Sequence, residues 1–320
     1  MKEIEVSVCI ITYRHEKYIR QALDSVFMQK TNFDFEVIVG EDASPDNTRD
    51  ILLEYKEKYG DKLVLVLHDE NVGVSKNARS VYSKVRGKYI ATVEGDDFWT
   101  DEDKLQKQYD LLDKNPQYSA VCCNYMSVTP TGDIRRKAAL KMKTDCVKTM
   151  KDWLSEGYSV HTCTIFRRNI FPETEEKYVK LKTAEPTMGD LITFTLLYDA
   201  GDIYVLKDVM AAHREAGVND ISSFSYNEKN KAIEHTHMFM RIIRNLEQYM
   251  NYKYDLTPRL CFRIAVLKIE KMRGNVHYKA AEMREIMRKL SLKMRLLVHY
   301  KMLVIILKKC RMKLRSYYAR

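Results

Sequence analysis

Four short apolar runs in the first hundred residues, each followed by a helical pattern, constrain this chain more than any other feature. EVSVCIIT (5–12) is β-rich and almost continuously apolar, as expected of a strand covered on both faces. After it, Ile19, Leu23, Val26 and Phe27 recur at helical spacing. FEVIVGED (35–42) is a second strand ending in acids, and SPDNTRDILLEYKEKYG (44–60) reads as a capped helix. Ser44 or Asp46 is its N-cap candidate and Gly60 its stop. LVLVLHDEN (63–71) is a third strand; Ala78, Val81, Tyr82 and Val85 then share a helical face, with Gly87 at its end. YIATVEGDD (89–97) is a fourth, and Leu105, Tyr109 and Leu112 mark a helix that stops before Pro116. Repeated strand–helix units fold as a mostly parallel sheet with helices on both faces. Such sheets bind ligands beyond the carboxyl ends of their strands. Here those ends carry Thr12-Tyr13, Glu41-Asp42, His68-Asp69 and Glu94-Gly95-Asp96-Asp97.

A strand ending in Glu-Gly-Asp-Asp has the chemistry to hold a divalent cation. Magnesium and manganese take carboxylate oxygens and bridge protein to diphosphate. Gly95 would let the chain turn sharply and a ligand approach closely. Asp and Gly also punctuate ordinary turns, so the tetrapeptide alone leaves a bland loop open.

The middle of the chain is less regular. SAVCCNYMSV (119–128) and SVHTCTIFRR (159–168) read as strands, GDLITFTLLYDA (189–200) as a short helix with Gly201 beyond it, and DIYVLKDVMAAHR (202–214) as strand. Asp190 opens that helix, where an acid is also favoured as a cap. Trp99 reads as core, and Cys122-Cys123 as buried filler. From residue 227 onward the pattern is helical, with Met283, Ile286, Met287 and Leu290 on one face. From Lys289 on, every charge is basic, and Leu296, Tyr300, Leu303 and Leu307 keep helical spacing. A basic amphipathic helix with bulky apolar residues suits an anionic membrane surface. Its Leu, Ile and Val content argues against a nucleic acid partner. The expected division is therefore a domain over 1–220 and a basic helical extension over 221–320.

The net charge of +10 implies a surface that meets an anion. Seven cysteines, an odd number without a C-x-x-C pair, give neither zinc spacing nor a disulfide framework. The first residues lack a basic n-region and a cleavage site, and no apolar run reaches the length of a membrane span. The expected location is cytoplasmic, peripheral on the inner face of the plasma membrane.

Taken together, VSVCIITYRHEKYIRQALDSVFMQ (6–29), FEVIVGEDASPDNTRDIL (35–52), NVGVSKNARSVYSKVRGKYIATVEGDDFW (71–99) and AEPTMGDLITFTLLYDAGDIYVL (184–206) resemble a family 2 glycosyltransferase. They run in family order over roughly residues 5–215. The resemblance implies the GT-A fold, a Rossmann-like mostly parallel sheet flanked by helices. It also implies inverting transfer from a nucleotide-sugar donor, a UDP-sugar by preference, to a glycan or lipid-linked acceptor in cell-envelope polysaccharide synthesis, with Mn2+ or Mg2+ as cofactor. Residue by residue, Thr12 and Tyr13 would line the nucleotide pocket, Asp42 would contact the base or ribose, and Arg79 would stand near the nucleotide. Glu94 and Asp96 match the ends of the D-x-D motif, with Asp96 as metal ligand and Asp97 beside it. Asp190 matches the general base. Two departures stand out: Glu41 and Glu94 replace the usual Asp, and a late metal-binding histidine is not clearly placed. Ala216 occupies its expected position, and His213, three residues earlier, is the substitute candidate.

Two rival functions share this pattern. A sugar-phosphate nucleotidyltransferase would be expected to carry a glycine-rich phosphate loop after the first strand, whereas TYRHEKYIR (12–20) has no glycine. A non-catalytic nucleotide-sugar-binding protein would not need to retain Asp42, Asp96 and Asp190 together.

Overall fold

The computed structural model describes residues 4–156, 160–171, 175–184, 189–215 and 231–317. In chain order the elements of the first part are β1 (Val6–Thr12), α1 (Ile19–Phe27), β2 (Phe35–Glu41), α2 (Thr48–Tyr59), β3 (Leu63–Leu67), α3 (Val74–Tyr82) and β4 (Tyr89–Glu94). They continue as β5 (Phe98–Trp99), α4 (Lys104–Lys114), β6 (Tyr118–Val128), β7 (Ile134–Arg136) and β8 (Cys146–Lys148). Then come α5 (Met150–Glu156), β9 (Phe166–Arg168), α6 (Glu176–Thr183), α7 (Gly189–Ala200) and β10 (Asp202–Arg214). The helices α8 (Ala232–Tyr249), α9 (Thr257–Met272), α10 (Ala280–Arg288) and α11 (Leu292–Tyr317) follow.

The strands form one sheet in the order β3-β2-β1-β4-β9-β6-β10-β5, with β7 beside β6 and β8 beside β10. β3, β2, β1 and β4 pair in parallel. The expected mixed α/β sheet is therefore present, and its first half is a run of parallel strands joined through helices. β1 is buried along nearly its whole length, and Val6, Val8 and Ile10 join Val37, Val39, Ala91 and Val93 in the main core. β6 pairs in parallel with β10 and antiparallel with β9. SVHTCTIFRR is mostly not strand: Thr162–Thr164 is a 3-10 turn, and β9 is only three residues long.

Contacts divide the chain into two compact units, Met1–Met150 with Ser159–Glu215, and Lys151–Tyr158 with Ala216–Arg320. The sequence boundary at 220 lies outside the described residues. Within the second unit, Trp153 of α5 is buried under the Arg259 guanidinium at 4.3 Å, and Lys301 Nζ donates to Ser155 O at 2.6 Å. Phe239, Ile242, Leu246, Leu260, Ile264, Ile286 and Val298 are buried in this unit. Among the described residues no helix is long and apolar enough to cross a membrane.

Candidate active site

Strand pairing decides where the acids at the end of β4 go. Glu94 lies opposite Ile11 of β1, and Gly95 N donates to Ile11 O at 3.0 Å. The chain then turns into β5, whose Phe98 pairs with Ala212 of β10, so Asp97 is set against His213 and Arg214. On the other side Thr92 Oγ1 donates to Thr162 O at 2.7 Å, and Thr92 N to Ile165 O at 3.2 Å. That contact brings His161 to the same spot, with Nε2 4.0 Å from Glu94 Oε2. Gly95 is needed here for space: a Cβ would meet His15 Nδ1 at 2.6 Å and Thr12 Oγ1 at 2.7 Å. Its φ is not in the left-handed region, so close approach rather than a special turn explains the residue.

Asp97 is 1% exposed and is the centre of the cluster. Its Oδ1 accepts from Arg214 N at 2.8 Å and lies 3.2 Å from His213 Nδ1. Its Oδ2 lies 3.2 Å from His161 Nδ1 yet makes no well-directed hydrogen bond. The two imidazole rings stack at 3.7 Å. Arg214 locks the turn from behind. Its Nε donates to Asp96 O at 2.9 Å, its Nη1 to Thr129 O and Pro130 O at 3.2 Å each, and its Nη2 to Gln21 Oε1 at 2.7 Å. Asp96 is half-buried, with Oδ2 4.0 Å from His15 Nε2.

The electrostatics follow from burying several acids beside two imidazoles. Burial raises Glu94 to about 8, with Asp97, Asp96 and Asp190 adding to the effect and His161 opposing it. Burial and Asp97 raise Asp96 as well. Burial would also raise Asp97, but His161 and His213 outweigh it and hold that carboxyl well below the usual range. Burial works to lower His161 and is outweighed by Cys163 and the Asp97 carboxylate, which hold it well above the ordinary imidazole value. The spot thus calls for positive charge. Glu94, Asp96 and Asp97 place donor atoms within 4.8 Å of one another, as do Asp97, His161 and His213. With a buried carboxylate oxygen left without a hydrogen bond, these residues fit a divalent cation.

The structure brings most of the sequence-derived candidates to one end of the sheet. Thr12 is buried, its Oγ1 3.1 Å from His15 Nδ1, and its carbonyl accepts from Asp42 N. Tyr13 is partly exposed beneath Arg14. Asp190 opens α7, is exposed, and lines with Glu94 a small cleft that also touches Ala78 and Tyr82 of α3. Asp42 is buried, and its carboxylate accepts from Val72 N at 2.7 Å and Gly73 N at 3.0 Å, so it holds the loop before α3. Arg79 stands exposed on α3. Ala216 lies outside the described residues. Trp99 is core, as its sequence context suggests, and donates from Nε1 to Cys163 O at 2.9 Å. Sequence reasoning missed His161 and His15. His15 follows the first strand directly. His161 reaches the cluster only through the pairing of β4 with β9, which no local periodicity reports.

The sequence model of "Glycosyl transferase family 2" matches residues 7–174, more than half of the 320. An uncharacterized protein of Mycobacterium tuberculosis is 44% identical over 117 residues, 37% of this chain and 34% of its own length. The putative teichuronic acid biosynthesis glycosyltransferase TuaG of Bacillus subtilis is 34% identical over 107 residues, 33% of this chain and 41% of its own. The matched stretches thus span about a third to two-fifths of these curated relatives. Among solved structures, S. aureus TarS 1–349 in complex with UDP-GlcNAc superposes with a TM-score of 0.60 at 18% identity, over 93% of this chain and 79% of that one. The mannosyltransferase PcManGT of Pyrobaculum calidifontis, in complex with GDP-Man and Mn2+, gives 0.51 at 17%, over 96% and 82%. These likenesses show the GT-A fold expected from the sequence. The profile match over the sheet that carries the acidic strand end establishes that the chain belongs to glycosyl transferase family 2.

Proposed function

We propose that the chain is an inverting, metal-dependent glycosyltransferase that moves a sugar from a nucleotide-sugar to a hydroxyl of a glycan or lipid-linked acceptor in envelope polysaccharide synthesis. The observation that carries this reading is the cleft lined by β1, β4 and α3, in which Glu94 and Asp190 both take part. The acidic turn, Thr12 and Tyr13 form the donor side, and the exposed Asp190 carboxylate faces the acceptor. Asp190 takes the acceptor hydroxyl proton as the oxygen bonds to the anomeric carbon. The bond from that carbon to the diphosphate breaks on the opposite face, and its electron pair leaves with the diphosphate. Asp96 and Asp97, with His213, would hold a divalent cation, which when bound supplies positive charge to the leaving diphosphate. Asp42 contributes by fixing the loop that precedes α3, and Arg79, exposed on α3, would offer a cation to the nucleotide. UDP is favoured as the nucleotide because the TarS structures, two of which hold UDP or UDP-GlcNAc, superpose more closely than the GDP-Man complex. The similarity to TuaG supports the envelope polysaccharide role.

The test is Asp190→Asn, assayed for transfer and for donor binding. Transfer should fall by about a hundredfold or more while donor affinity holds within about twofold. A variant that transfers normally would remove Asp190 from the mechanism.

A further inference from the structure

The acidic strand end gives a divalent cation two seats, and the structure distinguishes them. One is the carboxylate face of Glu94, Asp96 and Asp97; the other is Asp97 with His161 and His213. We propose that the ion's primary seat is the second, a nitrogen-rich site of one carboxylate and two imidazoles. It would select a transition-metal dication over Mg2+. This deepens the transferase reading and rests on it for the ion's purpose, though not for the site itself.

Three observations carry the proposal. First, Asp97 Oδ2 is buried and lacks a directed hydrogen bond although His161 Nδ1 lies only 3.2 Å away. His161 is the N-cap of the Thr162–Thr164 turn, with Nδ1 3.4 Å from Cys163 N, so the ring is turned toward that amide as well as toward the carboxylate. A cation seated between the ring and the carboxylate would give the open Asp97 oxygen its partner. Second, the spacing fits. His161 Nδ1 and His213 Nδ1 each stand 3.2 Å from an Asp97 oxygen. Ligands about 2.1 Å from one ion lie about 3.0 to 3.4 Å apart in octahedral or tetrahedral arrangements. Third, the seat is fixed by the fold before any ion arrives. Arg214 N holds Asp97 Oδ1, the pairing of β5 with β10 places His213, and Thr92 Oγ1 holds the turn that carries His161. Side chains anchored in this way lose little freedom on taking up an ion.

The donor set decides the choice of metal. Imidazole nitrogen favours Co2+ and Zn2+, whereas Mg2+ takes oxygen and keeps its waters.

The experiment is a Co2+ titration of the full chain without nucleotide, followed by visible absorption and calorimetry. Mg2+ competition and a parallel UDP titration complete it. The variants are His161→Ala, His213→Ala, the milder His161→Gln and His213→Gln, and Asp96→Ala, each checked for fold by circular dichroism. Wild type should bind Co2+ with d–d bands of nitrogen ligation, resisting about a hundredfold excess of Mg2+. Loss of either imidazole should weaken binding by about tenfold or more, and Asp96→Ala by less than either. If folded histidine variants keep wild-type Co2+ affinity, or wild type binds no Co2+, a proton alone occupies the gap and the proposal is overturned. UDP binding that survives such a result would leave the transferase reading standing. Cobalt bound through the imidazoles with no nucleotide binding would sustain the site and remove that reading.

Discussion

Gly95 and Arg214 hold the acidic turn from opposite sides, one by what it lacks and the other by what it reaches. A methyl group at Gly95 would sit 2.6 Å from His15 Nδ1 and 2.8 Å from Thr12 Cβ, inside van der Waals contact. Gly95→Ala is expected to lower stability by about 1–3 kcal/mol in urea unfolding, because β1 and its neighbours leave no room to relax. It should also weaken nucleotide binding, since the turn must lift off Thr12. Unchanged stability would show that the turn moves freely. Arg214→Met keeps the stem but removes the donors to Asp96 O, Thr129 O, Pro130 O and Gln21. Stranding those acceptors should cost about 2 kcal/mol, read in the same assay. At this scale the sequence is only partly legible. Asp96, Asp97 and Asp190 stand out because acids at strand and helix ends are visible in one dimension. Asp42 is also visible, but not that its carboxylate accepts from the Val72 and Gly73 amides. His161 is invisible because what gives it meaning is a contact about seventy residues away.

Elements repeat the lesson with different physics. β1 to β4 are legible because each is apolar on both faces and bounded by turn residues. The Asp46 cap is legible in kind but displaced by one position: Asn47 is the N-cap of α2, while Asp46 Oδ1 accepts from Thr48 N at 3.1 Å. The tail reads as helical throughout, yet it breaks between α10 and α11, where Ser291 Oγ accepts from Met294 N at 3.3 Å and starts a new helix. On α11, Leu292, Leu296, Tyr300, Leu303 and Leu307 are 55% to 73% exposed in one stripe, while Val298 is buried. That face supports the proposal of an anionic membrane contact. Leu296→Glu with Leu303→Glu should release the protein from anionic vesicles in a sedimentation assay without lowering its melting temperature. Undiminished binding would sink the idea.

α4 carries a different test. Lys104 is fully buried, its Nζ donating to Gln108 Oε1 at 2.7 Å and lying 4.1 Å from the Trp99 ring centroid. Burial lowers its pKa below the ordinary lysine value. For a base depressed in the folded state, the unfolded chain binds the extra proton, so stability is lost as pH falls from the unfolded value through the folded one. Relative to Lys104→Met, the wild type should therefore gain unfolding free energy as pH is raised toward about 10. Parallel pH dependences would show the ammonium to be retained in the core without penalty.

At the scale of the molecule, the chain joins a sheet unit carrying the acidic cleft to a helical unit whose chemistry is basic and apolar. The helical pattern of the last ninety residues marks the helices of the second unit, but nothing local marks Lys151–Tyr158 as belonging to it, since a short helix in mid-chain carries no sign of its tertiary partner. We propose that the end of β4 is a metal–diphosphate site. The direct test is calorimetric titration of UDP into wild type and Asp96→Ala, each with Mn2+ and with EDTA. Wild type should bind UDP with Mn2+, bind it sharply less in EDTA, and lose a smaller part of that affinity in Asp96→Ala. UDP binding of equal strength in EDTA and in Asp96→Ala would contradict it.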